Sequence, residues 1–168
     1  MIDRAAAGGA RAQRRGRLPS VRASAPSVVF RRARDADERS AAAELRIRVF
    51  CGEQGVAHEE EIDGLDDAAL HLVAVRGDEV IGTCRLLFAG ATCRLGRLVV
   101  AREARRRGIG AGLLALAEEE ARAARAKRIV LNAQTRARGV YRGAGYAERG
   151  DTFVEARIEH VRMERPLA

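Results

Sequence analysis

From Ser27 onward, apolar and polar positions fall into two rhythms. Ala41, Ala42, Leu45 and Val49 recur at three and four residues, which predicts a helix reaching about Phe50 with one buried face. Asp35 and Glu38 stand ahead of it at capping-box spacing, and a strand is expected before them over residues 27–32. Residues 70–75 and 80–88 read as strands joined by a hairpin turn at Gly77 and Asp78, with a third strand over 93–100. Residues 109–126 form the clearest helical pattern: Ile109, Leu113, Leu116, Ala117, Ala121 and Ala124 share a face that Glu120 interrupts. Glu118 and Arg122 sit at i and i+4 on the solvated side. A buried strand is expected over 128–133, a short helix over 135–142 ended by Gly143 and Gly145, and one or two strands over 152–163. The acidic stretch 51–67, with Gly52, Gly55 and Gly64, reads as loop holding at most one short helix. Helices and strands interleave, with antiparallel pairs at both ends and a parallel contact around the long helix. The fold class is a mixed α/β sheet.

Composition narrows this to one domain: 168 residues with 47% hydrophobic content suffice for one core and not for two of ordinary size. The formal charge of +8 is uneven. Residues 1–26 carry six Arg against one Asp, which leaves a net +3 for residues 27–168. That segment is rich in Ala, Arg, Gly, Ser and Pro and too poor in large aliphatics to fold, so a disordered tail is expected ahead of a domain over 27–168. Lys127 is the only lysine, so 30 of the 31 basic residues are Arg, a bias that weakens a nucleic-acid reading. The six aromatics leave few surfaces on which bases would stack. Cys51, Cys84 and Cys93 show neither a C-x-x-C pair nor a His at zinc spacing; reduced, mostly buried thiols in a cytoplasmic protein without a metal are expected. No run approaches the roughly 18 apolar residues that span a bilayer.

Chemistry concentrates in Arg105-Arg106-Arg107-Gly108-Ile109-Gly110-Ala111, between a strand and the start of the long helix. Glycine lets the backbone curl until successive N–H groups converge at a helix N-terminus, where the dipole favours an anion. Three Arg add positive charge. A nucleotide P-loop requires Lys-Ser or Lys-Thr after its last glycine, whereas Ala111-Gly112 follows Gly110. A dinucleotide fingerprint requires a third glycine where Leu113 stands.

Arg105-x-x-Gly108-x-Gly110 after Leu98-Val99-Val100 resembles the acetyl-CoA pyrophosphate loop of GNAT N-acetyltransferases. Tyr141-x-x-x-Gly145-Tyr146 is similar to that family's Tyr-x-x-x-Gly-Phe ending of the short helix. Further blocks resemble the ElaA-like branch: Leu45-Arg46-x-Arg48-Val49-Phe50-x-x-Glu53-Gln54, then Glu59, Asp63, Asp66 and His71, then Gln134, Phe153-x-Glu155 and Ile158-x-His160-x-x-Met163. Ala156-Arg157 departs from the branch, which often has Asp-Gly or a similar small turn there. The resemblance implies a GNAT fold with a splayed pair of strands in a mixed central sheet and flanking helices. It implies acetyl-CoA as co-substrate, pantetheine bound by main-chain groups of the strand Leu98, Val99 and Val100, and pyrophosphate held by the loop from Arg105 through Arg106, Arg107, Gly108, Ile109 and Gly110 to Ala111. Tyr141 would meet the cofactor as the general acid for the departing thiolate. A homodimer is common in the superfamily.

Direct amine acetylation also requires a base for the acceptor. Glu155 and His160 are the catalytic candidates beside Tyr141, and Glu53, Gln54, Asp63, His71 and Gln134 are candidates for the acceptor side. The acidic run from Glu59 to Asp67 either draws a cationic acceptor or is a solvated loop. The acceptor amine stays open. Two alternatives stand beside acetyl transfer: transfer of a larger acyl group, and a GNAT-fold module that binds acetyl-CoA without turnover.

Overall fold

The computed structural model describes residues 25–168, and the segment expected to be a disordered tail lies almost wholly outside the described residues. The chain runs β1 (Val28–Arg32), α1 (Ala36–Arg46), α2 (His58–Glu61), β2 (Leu70–Arg76), β3 (Glu79–Ala89), β4 (Thr92–Val100), α3 (Ile109–Ala123), β5 (Arg128–Gln134), α4 (Arg138–Gly143), β6 (Ala147–Glu155) and β7 (Ile158–Pro166). Seven strands form one sheet in the order β1-β2-β3-β4-β5-β7-β6. Only β4 and β5 pair in parallel, and α3 is the connection between them. The expected mixed α/β architecture is present.

Local chemistry accounts for the element ends. The Asp35 side chain accepts from Glu38 N at 2.9 Å and starts α1. Glu38 turns back to Arg34 N and to the Arg31 guanidinium, so only half of the capping box forms. The first helix was expected to reach Phe50, but α winding stops at Arg46 and Ile47–Glu53 continues as a π-helix. The wider turn keeps Val49 in the core and carries Glu53 and Gln54 toward the centre of the sheet. Helix α3 ends three residues early, at Ala123, which leaves Ala124 exposed, while Leu114 is buried outside the expected face. Strand β6 begins at Ala147 rather than near 152 because it is an edge strand exposed on both faces, with a bulge between Arg149 and Phe153, and so has no apolar alternation to read.

The core lies between the sheet and helices α1 and α3, where Leu72, Ile81, Leu113, Ile129 and Met163 are fully buried. Cys51, Cys84 and Cys93 are free, the last two buried. Lys127 is exposed in the turn after α3, its amide bonded to Ala91 O at 2.7 Å. Two glycines set the depth at which α3 sits. A Cβ on Gly82 would stand 2.8 Å from Ile109 Cγ2, and one on Gly112 would stand 2.3 Å from the Phe30 ring. Helix and sheet touch backbone to side chain at these points.

Gly112→Ala is therefore expected to destabilise the protein by about 1–2 kcal/mol, the overpacking cost exceeding the helix-propensity gain of about 1 kcal/mol. Chemical denaturation measures this, and the loss should shrink in a Phe30→Leu background.

Candidate active site

The sheet is interrupted at its centre. Parallel pairing of β4 with β5 covers only Thr92–Arg94 against Arg128–Val130, after which the strands part. On its other side β4 stays on β3 but loses register: Thr83 faces Val99 and Arg85 faces Gly96, so Cys84 alone opposes both Arg97 and Leu98. This β-bulge turns the strand where it leaves β5. Arg97 sits there at φ +56°, a left-handed conformation that costs a non-glycine residue roughly 1–2 kcal/mol. The parting opens a cleft of about 910 Å³, whose walls include residues 95–98 of β4 and Leu131, Asn132 and Gln134 of β5.

Beyond the end of β4, the Arg-rich loop feeds α3. Arg106 (φ +60°) and Gly108 (φ +77°) turn the chain, and Gly108 caps the helix without a side chain. The first helical bond returns from Gly112 N to Gly108 O at 2.9 Å, so the amides before it point out of the helix end. A Cβ on Gly108 or Gly110 would meet nothing within 4 Å. Arg106, Arg107, Gly108 and Ala111 are exposed, whereas the side chains of Val99 and Ile109 are buried, leaving only their main chain for a ligand. Arg105 is already engaged: Nε donates to Val100 O at 3.0 Å, and Nη2 lies 2.8 Å from Glu53 Oε2 across the cleft.

Tyr141 on α4 lines the cleft, 9% exposed and edge-on to Tyr146 at 6.1 Å. Burial pushes its phenol above the ordinary value, so it carries its proton at neutral pH. On the facing hairpin His160 is 8% exposed, stacks on Phe153, and has Nδ1 2.8 Å from Ile158 O. A proton on Nδ1 for that bond leaves Nε2 as the acceptor nitrogen, 3.9 Å from Glu155 Oε2. Ala156 (φ +48°) and Arg157 (φ +61°) make the β6–β7 turn in left-handed conformations without glycine. Arg157 Nη2 ties that turn to Gly55 O at 2.7 Å. Gln134 Nε2 donates to Gln54 Oε1 at 2.7 Å and Arg136 Nε to Gln134 Oε1 at 3.0 Å, which joins the end of β5 to the π-helical turn.

Two expected acceptor residues stand elsewhere in the chemistry. His71 does not line the cleft; its Nε2 is 2.8 Å from Asp66 O, on the far side of α1. Asp63 lines the cleft wall, but Arg85 holds it through bonds of 2.8 and 2.6 Å and Arg97 Nη2 is 3.3 Å away. Half of the acidic run is engaged by Arg side chains, while Glu59, Glu60 and Asp67 are exposed. Glu61 pairs with Arg46, both 2% exposed, and Asp66 binds Arg46 and Arg85. Three Arg thus neutralise three carboxylates between α1, α2, β3 and β4. Sequence alone assigns no role to Arg85 or Arg97, and to Glu61 only a place in the acidic run. Arg85 alone has a visible signal, as a lone Arg among the apolar residues of β3.

This combination, a sheet parted between two central strands with an uncapped helix N-terminus at the end of the gap, is the frame of a transferase for acyl-CoA thioesters. The chain matches the acetyltransferase (GNAT) domain over residues 36–167, and it belongs to that family. It is 33% identical over 120 residues to YjcF, an uncharacterized N-acetyltransferase of Bacillus subtilis strain 168, covering 71% of this chain and 86% of that protein. A putative N-acetyltransferase from Lactobacillus plantarum superposes with TM-score 0.78 at 28% identity, over 84% of this chain and 99% of the other. Escherichia coli ElaA superposes with TM-score 0.75 at 22% identity, over 83% and 99%. The protein is an acyltransferase of the GNAT family, and N-acetyltransferase activity in general follows from the family.

The Arg85 hydrogen bonds hold Asp63 below the usual carboxylate range against the effect of burial; burial opposes ionisation of Asp66 too, but Arg46 and Arg85 outweigh it. A depressed carboxylate stabilises the fold above its unfolded pKa, about 4, and loses that contribution as pH falls through the folded value. Asp63→Asn should therefore cost about 1–2 kcal/mol at pH 7, partial exposure of the carboxylate screening the pair, with the gap to the parent narrowing progressively below about pH 4. Denaturation midpoints at pH 7 and pH 3 measure both.

Proposed function

We propose that this acyltransferase carries the acetyl group of acetyl-CoA to an amine by direct attack on the thioester. The observation that carries this reading is the parting of β4 from β5, a cleft that runs from Arg105, in the loop feeding α3, to Tyr141 and His160. The residues present fit the cofactor. Amides from about Arg106 to Ala111 would meet the pyrophosphate, in space that Gly108 and Gly110 leave open, and Arg106 and Arg107 add positive charge beside it. Pantetheine would lie in the gap against β4. The Val100 carbonyl is taken by Arg105, so the arm's amides would meet main-chain groups of Leu98 first. Solved neighbours of the same fold contain coenzyme A.

When bound, the thioester supplies an acyl carbon open to attack by an amine. His160 Nε2 takes the proton that the amine sheds, while the Ile158 carbonyl fixes the ring through Nδ1–H. Glu155 stabilises the imidazolium from 3.9 Å. Tyr141, which lines the cleft with its phenol protonated, gives its proton to the departing sulfur. The C–N bond forms, the C–S bond breaks, and solvent returns the proton from His160 to Tyr141. Glu53, Gln54 and Gln134 stand on the acceptor side, where the paired glutamine amides and Arg136 present polar atoms to the incoming substrate.

Calorimetric titration with acetyl-CoA tests the cofactor half. The parent should bind saturably, and Gly110→Glu should lose binding while keeping its fold, because a side chain there meets open space and a carboxylate at a helix N-terminus is itself stabilising. A well-folded parent that does not bind sinks the proposal. Tyr141→Phe should retain acetyl-CoA affinity and lose about 10²–10⁴-fold in kcat, read as thiol release with polyamines, aminoglycosides or lysine peptides as acceptors.

A further inference from the structure

We propose that Arg97 is a positioning residue whose side chain latches the β4 bulge and so sets the wall on which the pantetheine arm is read. The proposal rests on acetyl-CoA occupying the cleft between β4 and β5. Its ground is a conflict within one residue. The backbone at Arg97 is left-handed, at φ +56°, where glycine is the residue without steric penalty, yet a long charged side chain stands there. If backbone preference alone set the bulge, glycine would serve better.

The side chain supplies what glycine lacks. Arg97 Nη2 donates to the carbonyls of Glu60 and Glu61, each at 3.1 Å, and lies 3.3 Å from Asp63 Oδ2. Its Nε is 2.8 Å from Glu61 Oε2. All four contacts fall on the short segment at the end of α2, and that segment is held from behind. Arg46, from the last turn of α1, pairs with Glu61 in the interior, and Arg85, from β3, grips Asp63. Force on β4 is thus resisted through Arg97 by the α2 segment and by two further guanidinium groups anchored in the fold. Nη2 makes all of the Arg97 hydrogen bonds, to the two main-chain oxygens and Asp63, while Nε contributes charge beside Glu61 without a hydrogen bond of its own. A guanidinium can spread over that span and the single point charge of Lys cannot.

The contact falls where it matters for a ligand. Pairing of β4 with β5 ends at Arg94, three residues earlier, so nothing from β5 braces the strand at Arg97. Leu98, next in sequence and half-buried, lines the cleft. The bulge sets the direction in which the main-chain groups of residues 97 and 98 face the gap, before pairing with β3 resumes at Val99 and Val100.

Arg97→Gly separates the two explanations, because it relaxes the backbone and removes the latch at once. Arg97 is partly exposed and Glu61 keeps Arg46, so the variant is expected to fold. Coenzyme A and adenosine 3′,5′-bisphosphate are titrated into parent, Arg97→Gly and Arg97→Lys. The nucleotide reaches the helix end without a pantetheine arm. The latch predicts that Arg97→Gly weakens coenzyme A about 10- to 100-fold while the nucleotide changes less than about twofold, with partial recovery in Arg97→Lys. Unchanged coenzyme A affinity in Arg97→Gly, or an equal loss for both ligands, overturns it. Hydrogen exchange of the ligand-free proteins gives an answer independent of the cofactor. Amides of residues 96–99 should exchange faster in Arg97→Gly while those of β2 hold; no difference there overturns the latch even if the parent binds no coenzyme A, a result that would separately remove the cofactor reading.

Discussion

A strand that leaves its neighbour inside a sheet exposes a row of main-chain N–H and C=O groups that the ladder would otherwise satisfy. Here two central strands do so together: β4 and β5 remain paired over three residues and then face each other across a gap. Buried main-chain groups must find partners. Water or a ligand with amides of its own therefore has to complete this sheet, and the rest of the molecule is arranged around keeping the gap open. β3 supports β4 from one side, β7 supports β5 from the other, and α3 crosses between them with its N-terminus at the open end.

Keeping such a gap from closing is a problem of specificity more than of stability. The cluster of Arg46, Arg85 and Arg97 with Glu61, Asp63 and Asp66 is electrically balanced, and buried ion pairs often contribute little beyond an apolar replacement. What they add is direction. Each guanidinium joins elements far apart in sequence, so a helix, a short acidic segment and two strands take one mutual arrangement. The same neutrality accounts for three acidic residues of the run from Glu59 to Asp67, while Glu59, Glu60 and Asp67 remain exposed outside the cluster.

Much of this was legible in the sequence. The period-3.6 face of α3, the hairpin at Gly77 and the glycines at 108 and 110 report local physics, and local physics is what a sequence displays. The parted strands were implied only by resemblance, because nothing in residues 92–100 says where pairing with a strand some 35 residues later stops. The π-helical turn, the early start of β6 and the early end of α3 are not legible for a related reason: tertiary contacts, not propensity, decide them. His71 illustrates the limit from the other side. A histidine at the start of an apolar strand has the same appearance whether it faces a cleft or bonds to a carbonyl, and here it does the second. Glu61 looked like one acid among many until Arg46 was found against it.

Lys127 stands at the far end of α3 from the loop of residues 105–111, about 20 Å away along a helix of 15 residues. It is the only side-chain amine in the chain. The other 30 of its 31 lysine and arginine side chains are guanidinium groups, protonated at any physiological pH and poor nucleophiles. Amine-directed reagents therefore have one internal side-chain address in this chain. Chemistry aimed at that position would report on the helix without reaching the cleft.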